Sequence, residues 1–313
     1  MTNALVLART SARRWFVVSL FLPLLLISAV SEAASYTLYI KAGTHTINGA
    51  GGTTLKVWGF TDSAGAGPMV PGPLLESQEG ETVTVTVYNQ HTRAHNFVVR
   101  GVTTDTASIP AGSNKTYSFT TPRAGTYLFS DTLNSNINRA MGLYGALVVR
   151  AAGGVNKAWT NGPSFALERL WVVSDMDKLR WNDVAGNGGT VSTGTYKPNF
   201  FMMNGLGGHD AMHDPNSVLQ GQAGQTGLVR IVNAGQFDQS LHFHANHFQI
   251  IDDDGLRLSK PEPGDTINVK AGTTAMVLFP LRSGIYPMHV HSAQLETANG
   301  VYLNGTATLL VGQ

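Results

Sequence analysis

Apolar and polar positions alternate with period two through much of this chain. The clearest run is Glu81–Asn89 (ETVTVTVYN), with valine at 83, 85 and 87. Successive side chains of a strand point to opposite faces, so the run predicts a strand buried on one face. Tyr36–Lys41, Leu55–Phe60, Ser113–Thr120, Gly125–Phe129 and Tyr144–Arg150 have the same character, and His95–Arg100 reads as a short apolar strand. Pro68–Pro73 (PMVPGP) is a rigid bend that no central strand could hold. A second series begins at Phe165–Asp175 and continues through Leu228–Asn233, Leu241–Asp252, Asp265–Val269, Thr274–Pro280, Gly284–His291 and Thr306–Val311. Between the series, Ala151–Gly162 is a small-residue connection. Asn182–Lys197 is expected to be a hairpin or exposed loop, and Phe200–Gly224 a long irregular passage. The pattern predicts an all-β chain of two tandem Greek-key β-sandwich domains, at 34–152 and 163–313.

Composition narrows the function. Gly is abundant, at 35 residues, as the turns of an all-β chain require. Net charge is +1, 13% of residues are charged, and the body of the chain has no Lys/Arg cluster, which excludes a nucleic-acid partner. There is no cysteine, so disulfides, thiol nucleophiles and any metal site built on a thiolate are excluded. Residues 1–33 read as an export signal: Arg9, Arg13 and Arg14 precede the apolar run Trp15–Val30, and Ser31-Glu32-Ala33 offers a small-residue cleavage site. The run Ala12-Arg13-Arg14-Trp15-Phe16-Val17 also resembles a twin-arginine signal, and an uncleaved anchor is the alternative. The expected location is periplasmic or secreted, with no membrane segment beyond the signal.

Five of the ten histidines fall in two short segments, SLHFHANHFQIID at 240–252 and IYPMHVHS at 285–292. His242/His244 and His289/His291 are His-x-His pairs on predicted strands, so the members of each pair share a face about 7 Å apart. Two such strands side by side would converge four imidazoles. That donor set, without thiolate, favours copper(II) or zinc.

The two series also repeat. PGPLLESQEGETVTVTVYN, the His91–Phe97 region, PAGSNKTYSF, GTYLFSD and MGLYGALVV in the first correspond in order to NSVLQGQAGQTGLVRIVN, LHFHANHF, KAGTTAMVLF, GIYPMHVH and NGVYLNGTATLLV in the second. With these blocks and the paired His-x-His strands, nearly all of the chain beyond the signal resembles the cupredoxin-domain proteins of the multicopper oxidase superfamily. That superfamily includes two-domain laccases and copper nitrite reductases. The resemblance implies cupredoxin-like sandwiches, a copper ion as cofactor, a small-molecule substrate and a homotrimer with copper between subunits.

It also locates what is missing. Where the family carries His-Cys-His, this chain has His289-Val290-His291, and the further ligands downstream fall near Leu295 and Gly300. GTYLFSD places Ser130 and Asp131 at the first-domain position, and the first-domain histidine strand is matched only by His95, with Phe97 in place of a second ligand. The family's electron-entry type 1 copper is therefore absent, and of the four His-x-His pairs of its oxygen-reducing cluster two remain. Ordinary laccase activity is not expected.

The expectation is one mononuclear type 2-like copper held by three or four of His242, His244, His289 and His291, joined by His95 across a domain or subunit interface. Redox chemistry on a small ligand, copper storage without turnover, and a scaffold without metal all remain open. Among the other histidines, His247 is expected to support or pack beside the site. His209 and His213 stand with Asp210 and Asp214 in a solvated loop that is a weaker metal candidate, and His45 and His91 are expected at the surface. Met141 and Met288 are read as core, and Asp131 as a polar strand end that could ligate a hard metal with His95.

Overall fold

The computed structural model describes residues 34–313, so the predicted export signal lies outside the described residues. The described residues form one compact unit. No helix among the described residues is long and apolar enough to cross a membrane.

The fold is all-β, two cupredoxin-like sandwiches in tandem. In the first, Thr53–Thr61, Ala34–Ile47, Thr82–Asn89 and Asn114–Thr120 form one four-stranded sheet, in that spatial order. The facing sheet is Leu75–Gln78, Tyr144–Arg150, Gly125–Ser130 and Val98–Val99. Val83, Val85 and Val87 are fully buried while Thr82, Thr84, Thr86 and Tyr88 between them keep some exposure. Each of these valines adds roughly 1.5–3 kcal/mol by leaving water, which pins the register.

In the second, a five-stranded sheet runs Leu219–Gly221, Ala307–Gly312, Gly284–Val290, Gln239–Phe243 and Thr266–Val269. It faces an eight-stranded sheet centred on Thr226–Asn233 and Leu167–Met176. The pairings repeat between the halves. Ala34–Ile47 is parallel to Thr82–Asn89 as Leu167–Met176 is to Thr226–Asn233. Leu75–Gln78 is parallel to Tyr144–Arg150 as Leu219–Gly221 is to Ala307–Gly312. The repeated sequence blocks are thus repeated hydrogen-bond ladders.

A third apolar cluster joins the halves. Val57, Leu128, Tyr144 and Ala146 of the first pack with Val172, Met176, Phe200 and Met202 of the second. The same seam explains a departure from expectation. Phe200–Gly224 is not simply irregular, because Phe200–Met203 is a strand with all four residues buried. Phe200 and Met202 fill the seam while Phe201 and Met203 fill the second core, so both faces are apolar and no alternation marks the strand. Leu256–Gly264 is likewise a strand despite Pro261 and Pro263, and it lies at the sheet edge, where missing N–H donors do no harm. Asn182–Lys197 contains short helical turns, over Asp183–Gly186 and Thr193–Thr195, rather than a hairpin. His95–Arg100 is reduced to the strand Val98–Val99 plus a bridge from His95 to Ile109.

Candidate metal centre

Gln239–Phe243 and Gly284–Val290 are antiparallel neighbours in which His242 stands directly opposite His289. Leu241, Phe243, Met288 and Val290 are buried on the core face, so His242 and His289 emerge half-buried on the other. A slip of one residue would bury both imidazoles and expose four apolar side chains. His291 follows the strand, its backbone N–H donating to Ser240 O at 2.7 Å.

His244 reaches the same place by a different route. The strand ends at Phe243, and Ala245 takes a left-handed conformation, φ 58°. Buried Asn246 holds this bend, donating from Nδ2 to His244 O at 2.9 Å and accepting at Oδ1 from the Arg282 N–H at 2.9 Å. The ring of His244 thus lies 4.7 Å from that of His242, closer than the spacing of alternate residues on a flat strand.

The four rings form one cluster. His242 lies 5.1 Å from His291 and 6.0 Å from His289, and His244 lies 5.1 Å from His289, centroid to centroid. Nε2 of His244 and Nε2 of His289 are 2.9 Å apart. Two nitrogens bound at about 2.0 Å to one ion, at a right angle, would be separated by about that much. The far nitrogens of two rings are engaged behind the cluster. Nδ1–H of His289 donates to Val290 O at 2.9 Å, and Glu296 Oε1 lies 3.0 Å from the same nitrogen. Nδ1–H of His242 donates to Thr266 Oγ1 at 2.9 Å, and Thr266 donates on to Asp265 Oδ1 at 3.0 Å. Such partners fix the tautomer that leaves Nε2 with its lone pair available to a metal. Partial burial and the three neighbouring imidazoles hold the pKa of His244 below the ordinary histidine value, which favours the neutral ligand form. Among the described residues no three His, Asp or Glu donors already converge on one ion position. The cluster is therefore gathered but not closed, with His291 exposed and His242, His244 and His289 half-buried. Four imidazoles without thiolate fit copper(II).

Within one chain His95 stands apart from this cluster. It is fully buried in the first sandwich, with Nδ1 2.6 Å from Asp131 Oδ2 and Nε2 2.6 Å from His91 Nδ1. Both ring nitrogens are thus taken. Asp131 also accepts from Asn138 Nδ2 at 2.9 Å and from the Leu133 N–H at 2.8 Å, so it anchors a hydrogen-bonded chain rather than marking a polar strand end. His91 is half-buried against Trp58, not a surface residue, and its pKa is lowered to about 4 by burial, then by His95 and Arg93. His45 is likewise part of the structure, donating from Nε2 to Gly205 O at 2.6 Å. His247 is exposed rather than packed beside the site. His209 and His213 lie at a short helical turn, where Nδ1–H of His213 donates to His209 O at 2.7 Å, which takes one potential ligand nitrogen out of play. Met141 and Met288 are buried in the two cores.

Sequence reasoning did not find Thr266, Asp265, Glu296, Asn246 or the link from His91 to His95. The first three come from neighbouring segments, and no local spacing announces them.

Two sequence models of the multicopper oxidase family match the chain, over residues 42–153 and 188–304. The chain belongs to the multicopper oxidase superfamily. Solved structures of this superfamily share the fold across both sandwiches. A multicopper oxidase titled mgLAC is 24% identical, covers 90% of this chain and 87% of its own, and superposes with a TM-score of 0.75. A blue copper oxidase from Nitrosomonas europaea is 22% identical, with 90% and 86% coverage and a TM-score of 0.76. A copper nitrite reductase from Nitrosomonas europaea is 21% identical, with 90% and 94% coverage and a TM-score of 0.71. Among curated proteins, dihydrogeodin oxidase from Aspergillus terreus is 26% identical over 156 residues, 45% of this chain. The match spans only 24% of that oxidase's own length. Copper is the cofactor that membership of the multicopper oxidase superfamily implies, and the imidazole cluster is a donor set that suits it.

Proposed function

We propose that this protein binds one copper ion through His242, His244, His289 and His291, at a mononuclear type 2-like site in the second sandwich, and has no type 1 copper. The observation that carries the reading is the cross-strand pairing of His242 with His289, with His244 Nε2 brought to 2.9 Å from His289 Nε2. Thr266 and the Val290 carbonyl orient the two paired rings from behind, with Glu296 close to His289. Position 290, between the histidines, is a valine whose side chain is fully buried in the apolar core, so no thiolate wire leads into the cluster.

Bound copper would supply a one-electron redox change and Lewis acidity toward a small ligand. His291 is exposed and the other three rings are partly exposed, which leaves room for a small molecule to reach them. That accessibility favours a redox enzyme acting on a small ligand over a closed storage site or a metal-free scaffold. With no internal route from a type 1 copper, electrons would come directly from the ligand or from an outside reductant. Residues 1–33 serve, in this reading, as an export signal to the periplasm or exterior, and 34–152 and 163–313 act as the two domains. A homotrimer is the assembly proposed alongside this reading.

Copper-loaded protein should give a type 2 electron paramagnetic resonance signal without intense blue absorption, and the signal should disappear in the His242→Ala/His289→Ala variant. A strong blue band, or a signal unchanged in the variant, would overturn the assignment.

A further inference from the structure

His209 and His213 stand four residues apart on one turn, begun by the short helix Gly208–Ala211 and continued by the His213 N–H, which donates to Asp210 O at 3.0 Å. Residues at that spacing are neighbours on a helical surface. Their rings lie 5.1 Å apart, centroid to centroid, which equals the separation of His244 and His289, whose Nε2 atoms are 2.9 Å apart. Both side chains are exposed, that of His209 to 70%. The backbone that sets their spacing is anchored: Ala211 is fully buried, its carbonyl accepts from Thr308 Oγ1 at 3.2 Å, and the His209 N–H donates to Asn304 Oδ1 at 3.3 Å.

Both rings are held through the same nitrogen. Nδ1–H of His213 donates to His209 O at 2.7 Å, and Nδ1 of His209 lies 3.3 Å from Asp210 Oδ1. With Nδ1 engaged on each ring, the tautomer that results leaves Nε2 with its lone pair directed outward to a metal. The local charge favours a cation as well. Gly205–Asn216 (GLGGHDAMHDPN) carries Asp210 and Asp214 and no Lys or Arg. Asp214 accepts from Ser217 Oγ at 2.7 Å, so it contributes charge rather than a ligand atom.

We propose that His209 and His213 form a second, exchangeable copper(II) site, separate from the four-histidine cluster, with the two Nε2 atoms as ligands and water in the remaining positions. Histidines at i and i+4 on one helical face are a chelating pair, and copper(II) binds imidazole nitrogen more tightly than zinc or nickel does. Two imidazoles hold an ion less firmly than four. Copper at this pair therefore leaves on dialysis and adds nothing to the copper that stays bound.

Calorimetric titration of the full chain with copper(II) chloride at equilibrium, without dialysis, tests this. Beyond the tight step of the cluster, one weaker step is expected. His209→Ala and His213→Ala, at exposed positions where folding is not at risk, should each weaken that step by about tenfold or more, because a lone imidazole loses the effective concentration of its neighbour. Neither should move the tight step. Zinc chloride should occupy the pair more weakly than copper does. In the His242→Ala/His289→Ala variant the weaker step should persist and should still be lost on adding His213→Ala, so failure of the cluster assignment would remove the tight step alone. Absence of a weaker step, a weaker step that survives both His209→Ala and His213→Ala, or one tighter for zinc than for copper would each overturn the proposal.

Discussion

Nδ1 of His95 lies 2.6 Å from Oδ2 of Asp131, and neither side chain is exposed. With His91 at one end and Asn138 at the other, this pair runs a polar chain through the first sandwich. Asp131 accepts from three donors, and removing it would strand all three in a buried site. Asp131→Ala is therefore expected to lower stability by about 3–5 kcal/mol in urea unfolding. A loss under about 1 kcal/mol would show that the chain is not a structural element.

The half-buried end of that chain makes an acid-side prediction. The pKa of His91 is depressed from 6.5 to about 4, first by burial and then by His95 and Arg93. The unfolded chain thus takes up a proton that the folded protein refuses between those values. This contribution to stability is whole above pH 6.5 and is lost as pH falls toward 4. Melting temperatures of the parent and His91→Gln should run parallel above pH 6.5, with the parent falling more steeply below it. Parallel curves down to pH 4 would contradict the assignment.

Behind the candidate copper ligands, Val290 O accepts from Nδ1–H of His289 and the Glu296 carboxylate lies 3.0 Å from that nitrogen, supporting the tautomer that frees Nε2. Glu296→Ala should lower copper affinity about 10–100-fold in a competition titration while leaving the stoichiometry unchanged. An unchanged affinity would mean that the orientation of His289 is set elsewhere.

Phe200 fills the seam that joins the sandwiches, fully buried between the two halves. Phe200→Ala should cost about 3–5 kcal/mol, and the parent should unfold in one transition because the halves share this core. Two resolved transitions in the parent would show that the sandwiches are independent.

The particular residues explain what the sequence could disclose. Val83, Val85 and Val87 announce their strand because one face is core and the other is wet. Phe200–Met203 announces nothing, since its two faces enter two different apolar clusters. The four clustered histidines were legible for the same reason as the valines: alternation on strands puts His242 and His289 opposite the core. The reach of His244 depended on a left-handed Ala245 and a buried Asn246, and the seat of His95 on contacts with Asp131, 36 residues away. Contacts made across such separations leave no local pattern to read.

The account rests most directly on where copper binds. Copper bound per chain should be measured after loading and dialysis for the parent, for His242→Ala/His289→Ala and for His91→Ala. The account predicts about one copper in the parent and in His91→Ala, and none in the double variant. Copper retained in the double variant, or lost in His91→Ala with the fold intact, would place the metal in the first sandwich and contradict it.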